Sequence, residues 1–342
     1  MYTGPHVLEA QELLDKALRR AAKVTKGGKT KLFRERDTAI ARLRIATDIL
    51  VSELERYEKG FPSLDRLHPF HREMAGILAD LDRLKKAIGA SAWAATAIRR
   101  VSRDAVRAIA RSQTPAEVLQ HKRAAIGRLS SLVNQVKSDL LAMASGAAAF
   151  RRLPVIHPEE PTIVIAGAPN VGKSQLVRAM SSGRPEVAAY PFTTKALSVG
   201  HFEHNGVRIQ VIDTPGLLDR AHEKRNPIER QAVAALRHVG HVVIFLFDPS
   251  ETCGTPIDLQ EALRVSLKAE MPGVTVLEVH NKADVAKVAG KRKSVSALTK
   301  AGVAPLARVA AGIAIRAAEP SMRAAAEESE TGFSQARPRR ET

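Results

Sequence analysis

Apolar residues recur at intervals of three and four through the first half of the chain, as in Ile40, Leu43, Ile45, Leu50 and Leu54, and again in Leu129, Leu132, Val136 and Leu140. That spacing lines one face of an α-helix, and it predicts an all-α helical bundle over residues 1–155. Glycine and proline mark its interruptions. Lys26-Gly27-Gly28-Lys29, Gly60-Phe61-Pro62-Ser63, Pro69 and Pro115 divide the segment into about five helices. Trp93, set among alanines, reads as a core anchor, while Phe61, Pro62 and Phe70 read as residues that fix a turn.

The period changes at Arg152-Leu153-Pro154-Val155-Ile156-His157-Pro158-Glu159-Glu160-Pro161, where the prolines resist any regular helix. Beyond this boundary, β-branched apolar runs at Thr162 to Ala166, Ile209 to Ile212, Val242 to Phe247 and Val274 to Val279 alternate with polar, helix-like stretches. The alternation predicts an α/β domain over 156–317, a mostly parallel sheet covered by helices. An alanine-rich helix near Val303 to Ala317 then gives way to Glu327-Glu328-Ser329-Glu330 and Arg337-Pro338-Arg339-Arg340, so residues 318–342 are expected to form a disordered tail.

The most informative stretch lies at the start of the second domain. Ile163-Val164-Ile165-Ala166 runs into Gly167-Ala168-Pro169-Asn170-Val171-Gly172-Lys173-Ser174-Gln175, and a helix-like segment follows. This is a phosphate-binding loop in its strand-loop-helix setting. Backbone N–H groups and a helix N-terminus face the phosphates there, which requires glycines that leave the approach open. Lys173 would neutralise the β- and γ-phosphates, and the Ser174 hydroxyl would join the coordination of Mg2+, a hard cation that takes oxygen ligands.

Three further elements follow in order. Asp213-Thr214-Pro215-Gly216 closes an apolar strand, placing a carboxylate to hold Mg2+ through water and a glycine N–H to sense the γ-phosphate. Taken alone, such a segment is more often a plain turn. Asn281-Lys282-Ala283-Asp284 closes another strand, where Asp284 can accept two hydrogen bonds from the ring N–H and exocyclic amine of guanine, donors that adenine does not present together. Ser296-Ala297-Leu298 adds backbone donors for the guanine oxygen. Together the four elements identify GTP or GDP as the ligand.

Composition narrows the class. The chain has 342 residues, long enough for about two domains, and its 44% apolar and 26% charged content is that of a globular protein. No apolar run approaches the ~18 residues of a spanning helix, which argues against a membrane partner. The single cysteine, Cys253, can form no internal disulfide, and the first thirty residues show no leader-like run, so a reducing, cytoplasmic setting is expected. Cys253 with His201, His204 and His280 is too scattered for a metal site.

Lys and Arg number 53 against 36 Asp and Glu, a formal charge of +17, and the excess is concentrated before residue 161. A polyanion is the expected partner. Aromatics are only 4% of residues, which favours phosphate contact over base stacking. Arg99, Arg103, Arg107 and Arg111 recur every four residues and would form a stripe about 18 Å long on one helix. Lys23, Lys26, Lys29 and Lys31 cluster around a glycine-containing loop. Both groups fit RNA phosphates, and a merely solvated face is the alternative reading of each.

Residues 158–300 resemble a GTPase domain of the translation-factor class in its Obg-related branch. Tyr190-Pro191-Phe192-Thr193-Thr194-Lys195 is similar to that branch's first switch. Val199-Gly200-His201-Phe202-Glu203, Asp213-Thr214-Pro215-Gly216-Leu217-Leu218-Asp219-Arg220 and Phe245-Leu246-Phe247-Asp248-Pro249-Ser250-Glu251-Thr252-Cys253-Gly254 narrow the likeness to the Nog family of nucleolar GTP-binding proteins and their archaeal relatives. Phe61-Pro62-Ser63-Leu64-Asp65-Arg66-Leu67-His68-Pro69-Phe70 and Gly127-Arg128-Leu129-Ser130-Ser131-Leu132 extend it into the bundle, so it covers roughly residues 10–300.

The resemblance implies a GTPase switch that acts in large-subunit ribosome assembly and binds pre-ribosomal particles or rRNA. It implies a cytoplasmic location for an archaeal-like short form and a nucleolar one in a eukaryote. It makes Thr194 the switch threonine that joins Mg2+, with Lys173, Thr194 and Gly216 acting on the reacting phosphate, and it offers Asn170 as a ligand of K+, against a simple loop-shaping role. Leu217 stands where Ras-like enzymes place the water-orienting glutamine, so slow intrinsic hydrolysis is expected. A GTPase with a non-ribosomal client and an RNA-binding scaffold with structural nucleotide remain the rival readings.

Overall fold

The computed structural model describes residues 4–153, 155–188, 197–214, 218–219, 227–286 and 292–335. Two compact units result, one from Met1–Leu67 and Leu78–Arg151, the other from His68–Ile77 and Arg152–Thr342. Up to the boundary the helices are α1 (Ala10–Ala22), α2 (Lys31–Lys59), α3 (Pro69–Leu78), α4 (Leu81–Arg111), α5 (Pro115–Gln135) and α6 (Lys137–Arg151).

Their ends follow local chemistry. Thr30 accepts the Phe33 amide to start α2, Asp80 accepts the Arg83 amide to start α4, and Thr114 accepts the Glu117 amide to start α5 with Pro115 in its first turn. Six helices stand where five were expected: the stretch before Pro69 carries only a short 3-10 turn at Leu64–Arg66, Ala79-Asp80 separates α3 from α4, and Val136 (φ −95°, ψ 14°) separates α5 from α6. Leu129, Val133, Val136 and Leu140 are all buried across that joint. The apolar period therefore runs through a break that no glycine or proline announces.

Helices α2 and α4 form the spine of the first unit. Leu43, Leu50 and Leu54 are buried on one, and Leu84, Ala87, Ala94 and Ile98 on the other. Thr47 Oγ1 donates to Ser102 Oγ at 2.8 Å, and Ser91 Oγ donates to the Leu54 carbonyl at 3.2 Å. The contact face of α4 is built from small residues, and Trp93 lies off it with 51% of its surface exposed. The expectation of a core tryptophan was wrong: alanines and serines take the interior and leave the indole outside. Phe61 is buried and meets Phe150 edge-on at 6.2 Å.

Helix α3 belongs with the second unit, burying Phe70, His71, Met74 and Ala75. Glu73 Oε1 lies 3.0 Å from His238 Nε2 of that unit. The sheet comprises β1 (Thr162–Gly167), β2 (Glu186–Ala188), β3 (Leu197–His204), β4 (Val207–Asp213), β5 (Val242–Phe247), β6 (Thr275–His280) and β7 (Lys293–Ser294), in the order β2-β3-β4-β1-β5-β6-β7. Strands β4, β1, β5, β6 and β7 are parallel, while β3 is antiparallel to β4 and β2 to β3. Helices α7 (Lys173–Met180), α8 (Pro227–Leu236), α9 (Ile257–Glu270) and α10 (Val303–Gln335) complete the unit. Helix α10 continues through Pro320 to Gln335, past the point at which a disordered tail was expected.

All six residues of β1 and of β5 are buried, as central parallel strands require. The connector ahead of β1 is locked by the fully buried Gln210. Its carboxamide accepts the His157 amide at 3.0 Å and donates to the His157 carbonyl at 2.6 Å and to Thr162 Oγ1 at 3.0 Å. These bonds set the register from which the first functional loop emerges.

Candidate nucleotide site

In an open parallel sheet, the loops after the strand C-termini converge where the order of connection reverses. Here β1, β4, β5 and β6 end in register: Ile165 pairs with Asp213, Gly167 with Leu246, and Phe247 with His280. The loop 167–172, Asp213, the segment after Phe247 and Asn281–Asp284 therefore emerge at one end of the sheet.

The loop 167–172 turns tightly through three left-handed residues, Gly167 (φ 141°), Asn170 (φ 58°) and Gly172 (φ 101°), and delivers the chain into the N-terminus of α7. At Gly172 a side chain is excluded twice over, by its φ and because a Cβ would fall 2.3 Å from Asn281 Nδ2. Val171 and Ala168 are buried beneath the loop. Lys173 folds back along it. Its Nζ donates to the carbonyls of Gly167 (3.0 Å) and Ala168 (2.9 Å) and lies 2.7 Å from Asp219 Oδ1.

Asp213 is almost fully buried at the end of β4, and burial pushes its carboxyl pKa up against the opposing pull of the Ser174 hydroxyl and Lys173. Its Oδ1 is buried with no hydrogen-bond partner among the described residues. A buried carboxylate oxygen with an open valence, beside a serine hydroxyl at a helix N-terminus, suits a hard divalent cation or its bound water. Ser174 and Asp213 thus fit Mg2+. Thr214 Oγ1 donates to the Ile165 carbonyl at 3.0 Å, fixing the turn that leaves β4. Pro169 is exposed in the loop, and Ser174 and Gln175 are exposed in the first turn of α7.

The two halves of the site are joined by one buried side chain. Asn281 Nδ2 donates to the Val171 carbonyl at 2.8 Å, and Asn281 Oδ1 accepts the Ala297 amide at 2.9 Å. Ala283 N donates to the Val295 carbonyl at 3.1 Å, and the Ser296 hydroxyl accepts the Thr299 amide at 3.1 Å. Asp284 and Leu298 stay exposed beside this framework. Lys282 stands at φ 58°, and its Nζ lies 2.7 Å from Asp248 Oδ2 and 2.9 Å from Thr252 Oγ1.

The sequence motifs give Asp248 and Asp219 no role of their own. A signal for Asp248 is present in the sequence: it follows Val242–Phe247 as Asp213 closes Val207–Asp213, an acid at the mouth of a central strand. Thr194, Gly216 and Leu217 lie outside the described residues. Among the described residues there is no cluster of three or more His, Cys, Asp or Glu able to hold a metal, and Cys253 is buried.

In the first unit, Arg99, Arg103, Arg107 and Arg111 all lie exposed on α4. A groove of about 670 Å³ is lined by Arg99, Arg103 and Arg107 with Arg44 and Asp48 of α2. Arg99 already pairs with Glu55 at 2.5 Å, and Arg107 stands 3.9 Å from Asp104. Lys23, Lys26, Lys29 and Lys31 are exposed as well. Their loop is pinned to α2, because Thr38 Oγ1 accepts the Lys26 amide at 3.0 Å and Arg42 Nε donates to the Val24 carbonyl at 2.8 Å.

Comparison with known proteins bears on both units. Residues 5–157 match the family described as the NOG1 N-terminal helical domain, and residues 162–282 match the family described as 50S ribosome-binding GTPase. Nucleolar GTP-binding protein 1 of Saccharomyces cerevisiae is 36% identical over 285 residues, which cover 82% of this chain and 44% of the yeast protein. An uncharacterized protein of Methanocaldococcus jannaschii is 33% identical over 285 residues, 82% of this chain and 80% of the archaeal one. The Drosophila melanogaster nucleolar GTP-binding protein 1 is 37% identical over 232 residues, 68% of this chain and 36% of its own length. The chain thus spans less than half the length of the eukaryotic relatives it matches.

Proposed function

This chain belongs to the NOG1 family of GTP-binding proteins, and on that premise we propose that it is a GTP-hydrolysing switch acting in assembly of the large ribosomal subunit. The observation that supports this reading best is the convergence of the phosphate loop, Asp213 and Asn281–Asp284 at one end of the sheet, with Asn281 bonded to both halves. In this reading, the backbone N–H groups of 167–175 and Lys173 hold the phosphates. Asp284, beside Ser296–Leu298, selects guanine. A magnesium ion held by Ser174, Asp213 through water, and Thr194 would screen the phosphate charge during transfer.

Lys173 must leave Asp219 to serve the phosphates, so a charge now neutralised inside the protein becomes available as nucleotide enters. Gly216 senses the γ-phosphate, and Leu217 supplies no hydrogen bond to an attacking water. Turnover is therefore slow until a partner adds positioning or charge. Asn170, already in the left-handed region, presents its side chain at the loop, where K+ would supplement Lys173.

The exposed arginines of α4 and the lysines around residues 23–31 form the surface that meets rRNA or the pre-ribosomal particle. Arg103 and Arg111, which have no acidic partner among the described residues, contribute most to it, because Arg99 must first give up Glu55. The test is co-sedimentation with large-subunit particles, comparing a non-hydrolysable GTP analogue with GDP at two salt concentrations. Retention that favours the analogue and weakens with salt is expected. Nucleotide-independent retention would replace the switch with a scaffold, and no retention would point to a non-ribosomal client. Converting the four arginines to glutamine should lower the salt slope, and an unchanged slope would remove the stripe as a contact surface.

A further inference from the structure

Asp248 lies at the mouth of β5 with none of its surface exposed, although the phosphate chemistry assigns it no task. Its carboxylate is saturated. Oδ1 accepts the Ser250 amide at 3.0 Å and the Ser250 hydroxyl, while Oδ2 accepts the Cys253 amide at 2.8 Å and the Thr252 hydroxyl at 3.2 Å. Its backbone is clamped as well, with its amide donated to Gln260 Oε1 at 2.8 Å and its carbonyl accepting Gln260 Nε2 at 3.1 Å. Burial by itself would raise the carboxyl, but the bonds from Lys282, Ser250 and Cys253 outweigh it and hold its pKa at about 2.

The fixed acid meets a strained base. Lys282 sits at φ 58°, a left-handed conformation that costs a residue with a Cβ free energy and persists only where its surroundings impose it. Asn281 before it is tied to Val171 and Ala297, and Ala283 after it is tied to Val295. The side-chain anchor is the Lys282 ammonium on Asp248 and Thr252. The kink at Lys282 is what redirects the chain from the buried Asn281 to the exposed Asp284.

We propose that Asp248, with Thr252 in support, is a positioning residue for guanine selectivity: by holding the Lys282 ammonium it maintains the left-handed turn that aims Asp284 at the base. This rests on the reading of Asn281–Asp284 as the guanine site. Asp248 is fully buried and acts on the base-binding segment through Lys282. The pair is buried on the acid's side and therefore little screened by salt.

The decisive experiment titrates the full-length chain with GDP, inosine diphosphate and ADP, displacing a fluorescent GDP analogue. Inosine diphosphate keeps the ring N–H and the phosphates but lacks the exocyclic amine, so the GDP-to-IDP affinity ratio reports whether Asp284 is aimed. Asp248→Asn is expected to reduce that ratio by about tenfold, the worth of one charge-assisted hydrogen bond, because GDP loses both of its bonds to Asp284 while IDP loses only the ring N–H bond and so weakens less. A role confined to folding would lower both affinities together, and a ratio within twofold of the parent protein would overturn the proposal.

If Asp248→Asn does not fold, Thr252→Val decides, since it removes one Lys282 acceptor at an exposed site. It should lower the ratio by a few fold, and no change would be equally fatal. Failure of the underlying reading looks different: the parent protein would then show no preference for GDP over IDP and ADP.

Discussion

Truncating Asn281 to alanine removes the only described side chain bonded to both the phosphate loop and the segment 295–297. Asn281 has 1% of its surface exposed, and its two bonds, 2.8 Å to the Val171 carbonyl and 2.9 Å from the Ala297 amide, are both buried. Each net hydrogen bond is worth about 1 kcal/mol, and each stranded buried partner adds about 1–3 kcal/mol when water cannot reach it. Partial relaxation of the loops brings the expected loss to about 2–4 kcal/mol for the second unit. For a domain of 150–250 residues each kcal/mol moves the Tm by about 2–4 °C, so Asn281→Ala should melt about 4–16 °C lower in nucleotide-free calorimetry. The closeness of Gly172 supplies an internal control, because a Cβ there would fall 2.3 Å from Asn281 Nδ2. Gly172→Ala should therefore cost less in the Asn281→Ala background than alone, a positive coupling in the double-mutant cycle. A Tm within about 1 °C of the parent, or strict additivity of the two changes, would show that the loops are held by something other than this side chain.

Asp284→Asn should weaken GTP and favour xanthosine triphosphate, whose ring carries the complementary donor and acceptor; unchanged GTP affinity would refute the guanine assignment. GTP turnover should be faster in K+ than in Na+ at equal ionic strength and lose that difference in Asn170→Asp, whereas equal rates in the two salts would leave Asn170 as a loop-shaping residue. His71 has its pKa lowered from 6.5 to about 4, chiefly by burial, helped by His68 and His157 and opposed by a backbone bond at Ile156 and by Glu159. Above pH 6.5 it is neutral in both states; below that the unfolded chain takes up a proton the folded one refuses, so stability falls toward pH 4 by up to about 3 kcal/mol. His71→Leu should flatten that part of the urea-stability profile, and an identical pH profile would disprove the attribution. Asp219→Asn, which frees Lys173 from its 2.7 Å partner, should speed nucleotide association in stopped-flow traces, while an unchanged rate constant would mean that the pair is not in the way.

The parallel strands were legible because burial on both faces demands uninterrupted β-branched runs. Thr162 to Ala166 and Val242 to Phe247 coincide with β1 and β5 to within a residue. Strands β2 and β7 carry no such signature: they are only three and two residues long, and both strands lie at sheet edges. Their existence depends on a neighbour offering hydrogen bonds, which is a tertiary fact. The joint at Val136 was hidden for a related reason. Its residues keep the apolar period through the break, so periodicity reads one helix where the backbone makes two. Trp93, expected in the core because it sits among alanines, is instead 51% exposed. In α4 the interior favours small residues, since α2 approaches closely through Ser91 and Ser102.

The site was legible to the extent that its chemistry is local. A strand, a glycine-bearing turn and a helix start lie within twenty residues, and each residue type there follows from the need to expose backbone N–H groups to phosphate. What spacing cannot show is which distant side chains meet. Asp219 neutralises Lys173 across 46 positions and Asp248 holds Lys282 across 34. Both acids take a lysine that the nucleotide motifs supply, yet their consequences oppose each other. The first competes with the phosphates for its lysine and must yield when ligand arrives, so it should slow binding. The second holds its lysine on Asp248 and Thr252 at the mouth of β5 and need not yield at all, so it should preserve selectivity in every nucleotide state. That difference separates the two ion pairs experimentally: removing Asp219 should change rates with the GDP-to-IDP ratio intact, and removing Asp248 should lower the ratio, GDP weakening more than IDP.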